Sequence, residues 1–475
     1  MIAVRHHSSA AEPVAASSSG VEPVFLSRDG DQPMRAGHLS ELIDQHDPGA
    51  TPLVPDWDAW AQILALGAPL AGRTPFAGIH RLQPAESARV EGQCWHVSAE
   101  SWSWESVDVE PALDPRDLTG DVLDVLRARI ARIDGPLNPM LSGGRDSRLL
   151  TALAAQHTDD LTAWTTSSDT GTTLEELIAA RVAGTLGVRQ RIIPGRHDRF
   201  ADDVIQYART VDYMASFHIW LMPVADELRQ HPGTILDGLG GGVFLGGGFP
   251  DAPEVLASTP TPQQLVESRF TRVARYLDAA DEIFAPGLAE ELTERSRADF
   301  DPIARKYTDH PNGATLTAYL TRTLPGISMA PSRVLGGAQP TVMPIMGDEV
   351  ISLALRVPHE RKLDGIWYPD LLAHADERLT AMATAADLTG RRQHVRRGAS
   401  HAAADWYRTL LLGSPVAGLL SERMRTADIP EWSDQLAKTK PQHLIRGLAM
   451  LALWLNEYED RLSDSEIPFR GGARA

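Results

Sequence analysis

The residues best suited to chemistry stand together in the run Leu141-Ser142-Gly143-Gly144-Arg145-Asp146-Ser147. Two adjacent glycines let a backbone come close to a phosphate, and a helix starting near Ser147 adds its partial positive charge and a hydroxyl donor. Such a loop is an anion cradle. Asp146 would repel a bare phosphate at short range, so its presence implies Mg²⁺ between the two, held by the carboxylate and by phosphate oxygens. The glycine run between Gly238 and Gly248 never registers as G-x-G-x-x-G, and no Gly-Lys pair completes a P-loop, which argues against dinucleotide and Walker-type sites.

For the cradle to point outward it must follow a strand and open a helix, and the patterning supplies both. A short apolar run ends at Leu141, and Leu149, Leu150, Leu153 and Ala154 then recur at helical spacing. The alternation continues as a strand over 161–165, a helix over 174–186, a strand over 191–193, a helix over about 202–213 and a strand over 234–236. Elements alternating in this way predict an α/β fold with a parallel sheet covered on both faces, and ligands gathering beyond the C-terminal strand ends. From about Pro260 helical patterns dominate, at 265–277, 288–297, 316–323, 350–355, 371–379, 404–412 and 443–462, as a helical C-terminal lobe.

Upstream, the stretch from Val24 to Glu110 holds short apolar or alternating runs broken by Gly, Pro and Asp, the pattern of a strand-rich domain. The period changes where Leu123, Leu126, Ile130 and Ile133 begin an amphipathic helix. The expected division is a flexible, Ala/Ser/Pro-rich leader over 1–20, a strand-rich α+β domain over 21–112, and an α/β domain with its helical lobe over 113–470.

Composition narrows the classes. The 475 residues, 43% hydrophobic and 23% charged, fit a globular protein of two or three domains. A net charge of −18 disfavours nucleic acid and anionic lipid as partners. No run approaches the roughly 18 apolar residues of a membrane span, and no signal-peptide pattern opens the chain, so a cytoplasmic protein is expected. The single cysteine, Cys94, fits a reducing compartment and reads as a small buried apolar side chain. The histidines, among them His6, His7, His394 and His401, show no metal-ligand spacing. Glu175 and Glu176 read as facing water, and Trp57, Trp60, Trp102 and Trp104 as packing.

The run Ser142-Gly143-Gly144-Arg145-Asp146-Ser147 resembles the S-G-G-x-D-S pyrophosphate loop of N-type ATP pyrophosphatases. The order of the other features is similar to the asparagine-synthetase branch, which includes β-lactam synthetase, carbapenam synthetase and lasso-peptide cyclases. Arg73-Thr74-Pro75-Phe76-Ala77-Gly78-Ile79, followed by Leu82-Gln83-Pro84, resembles the close of that family's N-terminal glutaminase domain. Leu236-Asp237-Gly238-Leu239-Gly240-Gly241 resembles its second glycine loop, and Pro344 with the helix from Asp348 resembles its P-F-L-D segment.

The resemblance implies a HUP-like parallel-sheet domain, cleavage of ATP to AMP and pyrophosphate, and an acyl-adenylate attacked by an amine. It also implies roles: Leu141 opens the loop, Ser142, Gly143, Gly144 and Ser147 hold pyrophosphate, Asp146 ligates Mg²⁺, and Asp237 and Gly238 lie beside the nucleotide.

The chain departs from that family in four places. Glutamine-dependent members begin Met-Cys, whereas this chain begins Met1-Ile2-Ala3, so the N-terminal domain is expected to be an inactive glutaminase remnant and the amine to come from the substrate. Gly242 and Val243 stand where the second glycine loop usually supplies an Asp ligand, leaving Asp237 or Asp169 to compensate. Pro340-Thr341-Val342-Met343-Pro344-Ile345-Met346-Gly347 lacks the Glu, Arg and final Asp of E-V-R-V-P-F-L-D, which disfavours the β-lactam-forming branch. The late family lysine has no counterpart in Arg391-Arg392-Gln393-His394-Val395-Arg396-Arg397-Gly398, where Arg396 or Arg397 is left to supply a fixed cation beside developing charge.

The expectation is an AMP-forming ligase that closes a lasso-type macrolactam in a precursor peptide, with a leader-peptide-binding protein or a protease as partner. Intermolecular amidation of a small-molecule carboxylate is one alternative. A nucleotide- or peptide-binding homologue without turnover is the other.

Overall fold

A computed structural model describes residues 13–27, 33–45, 52–92, 94–167, 173–385, 387–388 and 396–469. His6, His7, Asp169 and residues 391–395, with His394 among them, lie outside the described residues.

The N-terminal part carries strands β1 (Val14–Ala15), β2 (Phe25–Ser27) and β3 (Arg35–Ala36), helices α1 (Leu39–Gln45) and α2 (Trp57–Leu66), and strands β4 (Ile79–Arg81), β5 (Glu86–Glu91) and β6 (Cys94–Ala99). These strands form two antiparallel sheets, in the orders β1-β5-β6 and β3-β2-β4. The Asp56 carboxylate starts α2 by accepting the N–H groups of Asp58 and Ala59, and Gly67, at φ +91°, ends it.

Residues 13–20, expected from composition to belong to a flexible leader, are instead tied down. β1 pairs with β5, the Trp102 indole donates to the Ser18 carbonyl at 2.7 Å, and the Tyr319 hydroxyl donates to the Ser19 carbonyl. The segment lacks apolar bulk of its own and borrows order from partners far along the chain. Cys94 corrects another expectation: at the end of β6 it is exposed.

After helix α3 (Thr119–Ile130) come β7 (Leu137–Pro139), α4 (Arg145–His157), β8 (Thr162–Thr166), α5 (Leu174–Leu186), β9 (Arg189–Ile193), α6 (Phe200–Thr210), α7 (Met222–Leu228) and β10 (Thr234–Leu236), with β11 (Thr341–Val342) much later. β10 lies parallel between β7 and β11, and β8 lies parallel to β9. Parallel bridges Leu137↔Leu161 and Met140↔Trp164 join the two groups, giving the order β11-β10-β7-β8-β9. The chain runs outward from β7 to β9, then returns across the sheet to β10. Strand order therefore reverses between β7 and β10, and a crevice opens beyond their C-terminal ends.

The remainder is mostly helical, including Pro262–Val273, Leu288–Lys306, Asp348–Arg356, Tyr368–Ala375, His401–Leu412 and Thr439–Tyr458. The helix expected over 316–323 begins as Gly313–Ala318 and then widens into π-helix at Tyr319–Ile327, followed by a second π segment at Ala330–Leu335. Pro325 and Pro331 lie inside them; neither can donate the i→i−4 bond of a regular α-helix. Gly241–Leu245, after β10, is also π-helical.

Packing ties the N-terminal part to the last long helix. The Trp60 and Phe76 rings lie 5.1 and 5.3 Å from Trp454, within a core that also holds Phe25, Leu448 and Leu455. Residues 21–112 thus share their largest core with the C-terminal lobe. Trp102 and Trp104 pack with Tyr319 and Phe244 in a second cluster, with Trp104 at 5.2 Å from Tyr319 and 5.3 Å from Phe244.

Candidate active site

The loop 142–147 leaves β7 at the point where strand order reverses, and its shape is fixed by its own hydroxyls and by one carboxylate. Ser142 Oγ accepts the Gly144 N–H at 3.1 Å, and the Ser147 hydroxyl accepts the Ser142 N–H at 3.1 Å. The two hydroxyls lie 3.0 Å apart. Glu175, in the first turn of α5, accepts the Gly143 N–H at 2.7 Å. A Cβ at Gly143 would stand 2.8 Å from that carboxylate, so the contact requires glycine. Beneath the loop the fully buried Arg148 donates to the carbonyls of Met382 and Ala383 at 2.7 and 3.1 Å and to that of Gly143 at 3.4 Å. Helix α4 starts at Gly144 with no side-chain cap, so its N-terminal dipole faces the crevice.

Asp146 is the first acid of α4, and the second glycine loop closes over it. The Tyr368 hydroxyl donates to Asp146 Oδ1, and the Gly242 N–H also favours the ionised form. A Cβ at Gly241 would lie 2.3 Å from the Asp146 carboxyl carbon, and one at Gly238 would lie 2.9 Å from Asp146 Cβ. These glycines let the backbone lie against the carboxylate. Burial outweighs the hydrogen bonds and pushes the Asp146 carboxyl up to about 6. Asp237, whose Oδ1 accepts the Leu239 N–H at 2.8 Å, is likewise pushed up to about 6 by burial, with the Asp146 charge adding to the rise.

Both acids line one cavity of about 1260 Å³, together with Leu141, Ser142, Gly144, Ser147, Glu175, Gly238 and Gly242. Drug-sized ligand sites run to roughly 1,000 Å³, so this one has room for a nucleotide and a second ligand. The residues present fit Mg²⁺ shared with phosphates. Both carboxylates are half-buried and the Asp146 charge raises the pKa of Asp237, a repulsion that a cation between them would relieve. Among the described residues no group of three or more His, Cys, Asp or Glu converges.

Most of the loop residues read from sequence therefore come together with Asp237 and Gly238. Leu141 is buried under the loop, its N–H donating to Trp164 O at 2.8 Å and its carbonyl accepting from Thr165. The arginines do not join them. Arg397 is only 5% exposed, ion-paired with Asp203 and stacked 5.3 Å from the Phe200 ring, away from the cavity lining; Arg396 is not part of that lining either. Two contributors were missed. Glu175 was expected to face water, as an acid in a helix of otherwise apolar spacing, and instead turns to the Gly143 N–H. Tyr368 lies 222 positions beyond Asp146, with no local pattern marking it.

No curated protein matches this sequence at a significant level. Residues 121–456 match the family described as Asparagine synthase, a span that takes in the parallel sheet, both glycine loops and Tyr368. With well over half its length inside that match, the chain belongs to the asparagine synthase family of ATP-dependent amidating ligases.

Proposed function

We propose that this chain reacts a carboxylate with ATP to give its adenylate and pyrophosphate, and that an amine within the same molecule then displaces AMP, closing a macrolactam in a precursor peptide. The observation that carries the reading is the single cavity shared by the loop 142–147 and the loop after β10, too large for a nucleotide alone. Ser142, Gly144, Ser147 and the uncapped start of α4 would hold the pyrophosphate, with Asp146 and Asp237 holding Mg²⁺ against it. The cation would neutralise phosphate charge as the P–O bond breaks. Glu175 and Arg148 keep the loop in shape, and Tyr368 orients Asp146. The N-terminal part serves as a scaffold for the helical lobe, with a cytoplasmic location and a leader-peptide-binding protein or protease as partner.

Intermolecular amidation of a small carboxylate uses the same site. A binding-only homologue is motivated by Gly242 and Gly347, which stand where the family carries acids, and by the absent late lysine.

Calorimetry with ATP and Mg²⁺ on the wild type and Asp146→Ala tests the nucleotide site. Affinity lost in the mutant supports it. AMP release with candidate peptides, or with a small carboxylate plus free amine, separates the ligase readings, and ATP binding without AMP from any of them would favour the binding-only one.

A further inference from the structure

Away from the loop 142–147 the cavity ends in a group of cations. Arg272 and Arg275 come from the end of Pro262–Val273 and the turn after it, and Arg322 from the π-helical segment Tyr319–Ile327. Their guanidinium carbons lie 5.7, 5.4 and 4.4 Å from the centre of the Phe249 ring, and all four residues line the cavity. Among the described residues none of the three arginines has a carboxylate at ion-pair distance. The neighbouring acids are committed elsewhere: Asp251 to Arg269 at 2.8 Å, Glu267 to Arg297 at 2.7 Å, and Asp278 to Lys440. Glu254 stands exposed at the rim. Arg275 donates to the Arg272 carbonyl at 3.2 Å and the Tyr276 hydroxyl at 2.9 Å, while the buried Nε of Arg322 has no hydrogen-bond partner.

The backbone at this end is strained as well. Phe249 at φ +60° and His218 at φ +63° occupy the left-handed region, which strains a bulky side chain. His218 is half-buried, its Nδ1 has no partner, and burial with Arg322 and Arg446 nearby pushes its pKa down to about 3, so it is neutral. Three π-helical segments, themselves a form common at functional sites, contribute Gly242, Arg322 and Ala330 to the lining. The half-buried Arg322, whose Nε–H is orphaned, and the strained backbone beside it cost stability, and with Arg272 and Arg275 turned to the same ring they mark a place built for a ligand.

We propose that Arg272, Arg275 and Arg322, grouped around Phe249, form a subsite for a second anionic group of the substrate, distinct from the carboxylate activated beside the loop 142–147. This rests on the ligase reading above and deepens it by fixing the substrate as at least a dianion. Guanidinium forks match the oxygens of a carboxylate or of a phosphate, so an acidic side chain, a peptide C-terminus and a phosphate ester share the recognition chemistry.

The test is calorimetry on nucleotide-free, full-length protein with glutarate as dicarboxylate probe, inorganic phosphate as the other source, and propionate as the single-charge control. The wild type is expected to bind glutarate or phosphate in preference to propionate, and whichever binds more tightly identifies the source. Arg322→Met, and separately the pair Arg272→Met with Arg275→Met, are expected to weaken that binding at least tenfold while ATP affinity stays within threefold. Should Arg322→Met fail to fold by circular dichroism, the double variant on the more exposed pair decides. Equal affinity in wild type and variants, or no binding of either anion to the wild type, overturns the subsite. Anion binding in a protein that never binds ATP removes the ligase reading and leaves the subsite standing.

Discussion

The Tyr368 hydroxyl donates to the Asp146 carboxylate across 222 residues of chain, joining the start of α4 to the start of Tyr368–Ala375. The bond favours the charged carboxylate against a burial that lifts its pKa to about 6. Because Mg²⁺ takes the ionised form, Mg²⁺-dependent ATP affinity is expected to be full above neutral pH and to fall as pH drops through 6. In Tyr368→Phe the fall should begin about one pH unit higher, since a donor to the charged form is gone. A pH series of ATP titrations on both proteins checks this, and identical profiles would remove Tyr368 from the site.

Glu175 holds Gly143 N–H at 2.7 Å, a charge-assisted bond. Glu175→Ala should weaken ATP binding about tenfold, in line with roughly 1.5 kcal/mol for such a bond. Glu175→Gln, whose amide oxygen still accepts, should stay within about threefold of wild type. Calorimetry reads both, and unchanged affinity in the alanine variant would mean the loop keeps its shape without the carboxylate.

Two neighbouring glycines should respond in opposite ways. At Gly241 a methyl group would lie 2.3 Å from the Asp146 carboxyl carbon and 2.7 Å from the Tyr368 hydroxyl, so Gly241→Ala should abolish ATP binding in a protein that still folds. At Gly242 the nearest atom to an added Cβ is Asp146 Oδ2, at 3.9 Å, so an aspartate fits. Gly242→Asp should lower the Mg²⁺ concentration needed for half-maximal ATP binding several-fold. No change, or a rise, would place the cation away from Asp146.

Arg397 belongs to the scaffold. Buried with Asp203, it leaves an uncompensated charge when removed, and Arg397→Met should cost about 3–5 kcal/mol by urea unfolding while ATP affinity is unchanged. Weakened ATP binding at intact stability would return Arg397 to the site.

Lys362 makes stability depend on pH. It is fully buried, donates to the Ala354 carbonyl at 2.7 Å, and burial lowers its pKa from the usual 10.5 to about 7. Between those values the unfolded chain holds a proton that the folded chain has released, so stability contributed by this site should rise with pH from about 7 towards 10.5. The slope is at most about 1.4 kcal/mol per pH unit. Urea midpoints for wild type and Lys362→Met at pH 7 and 9 isolate the effect, which is absent if the wild-type increase persists in the mutant.

What could be read from sequence was what is local. An apolar run, two glycines and a helical repeat announced the strand, loop and helix around Ser142, and the limits of α5 and β10 follow directly from their hydrophobic spacing. What escaped depends on partners distant in sequence. Glu175, Tyr368 and Arg148 acquire their roles from folding, and Arg272 and Arg275 look like the polar face of an ordinary surface helix. The basic stretch near 397 was singled out because it stands where the resembling family carries a late lysine, yet its Arg397 is consumed by Asp203. The π-helical widening at Tyr319–Ile327 has the same origin: hydrophobic periodicity marks a helix there without stating its pitch.

The aromatic cluster of Trp102, Trp104, Phe244 and Tyr319 lies behind the cavity as a shared buttress. Phe244 belongs to one π-helical wall and Tyr319 to another, and their rings meet at 5.2 Å. The same cluster is pinned from outside by the carbonyls of Ser18 and Ser19. Two peptide groups near the beginning of the chain thus set the spacing between walls built more than 200 residues later. Alteration of that early segment would be felt first as a change in the fit of the substrate, before any loss of the fold.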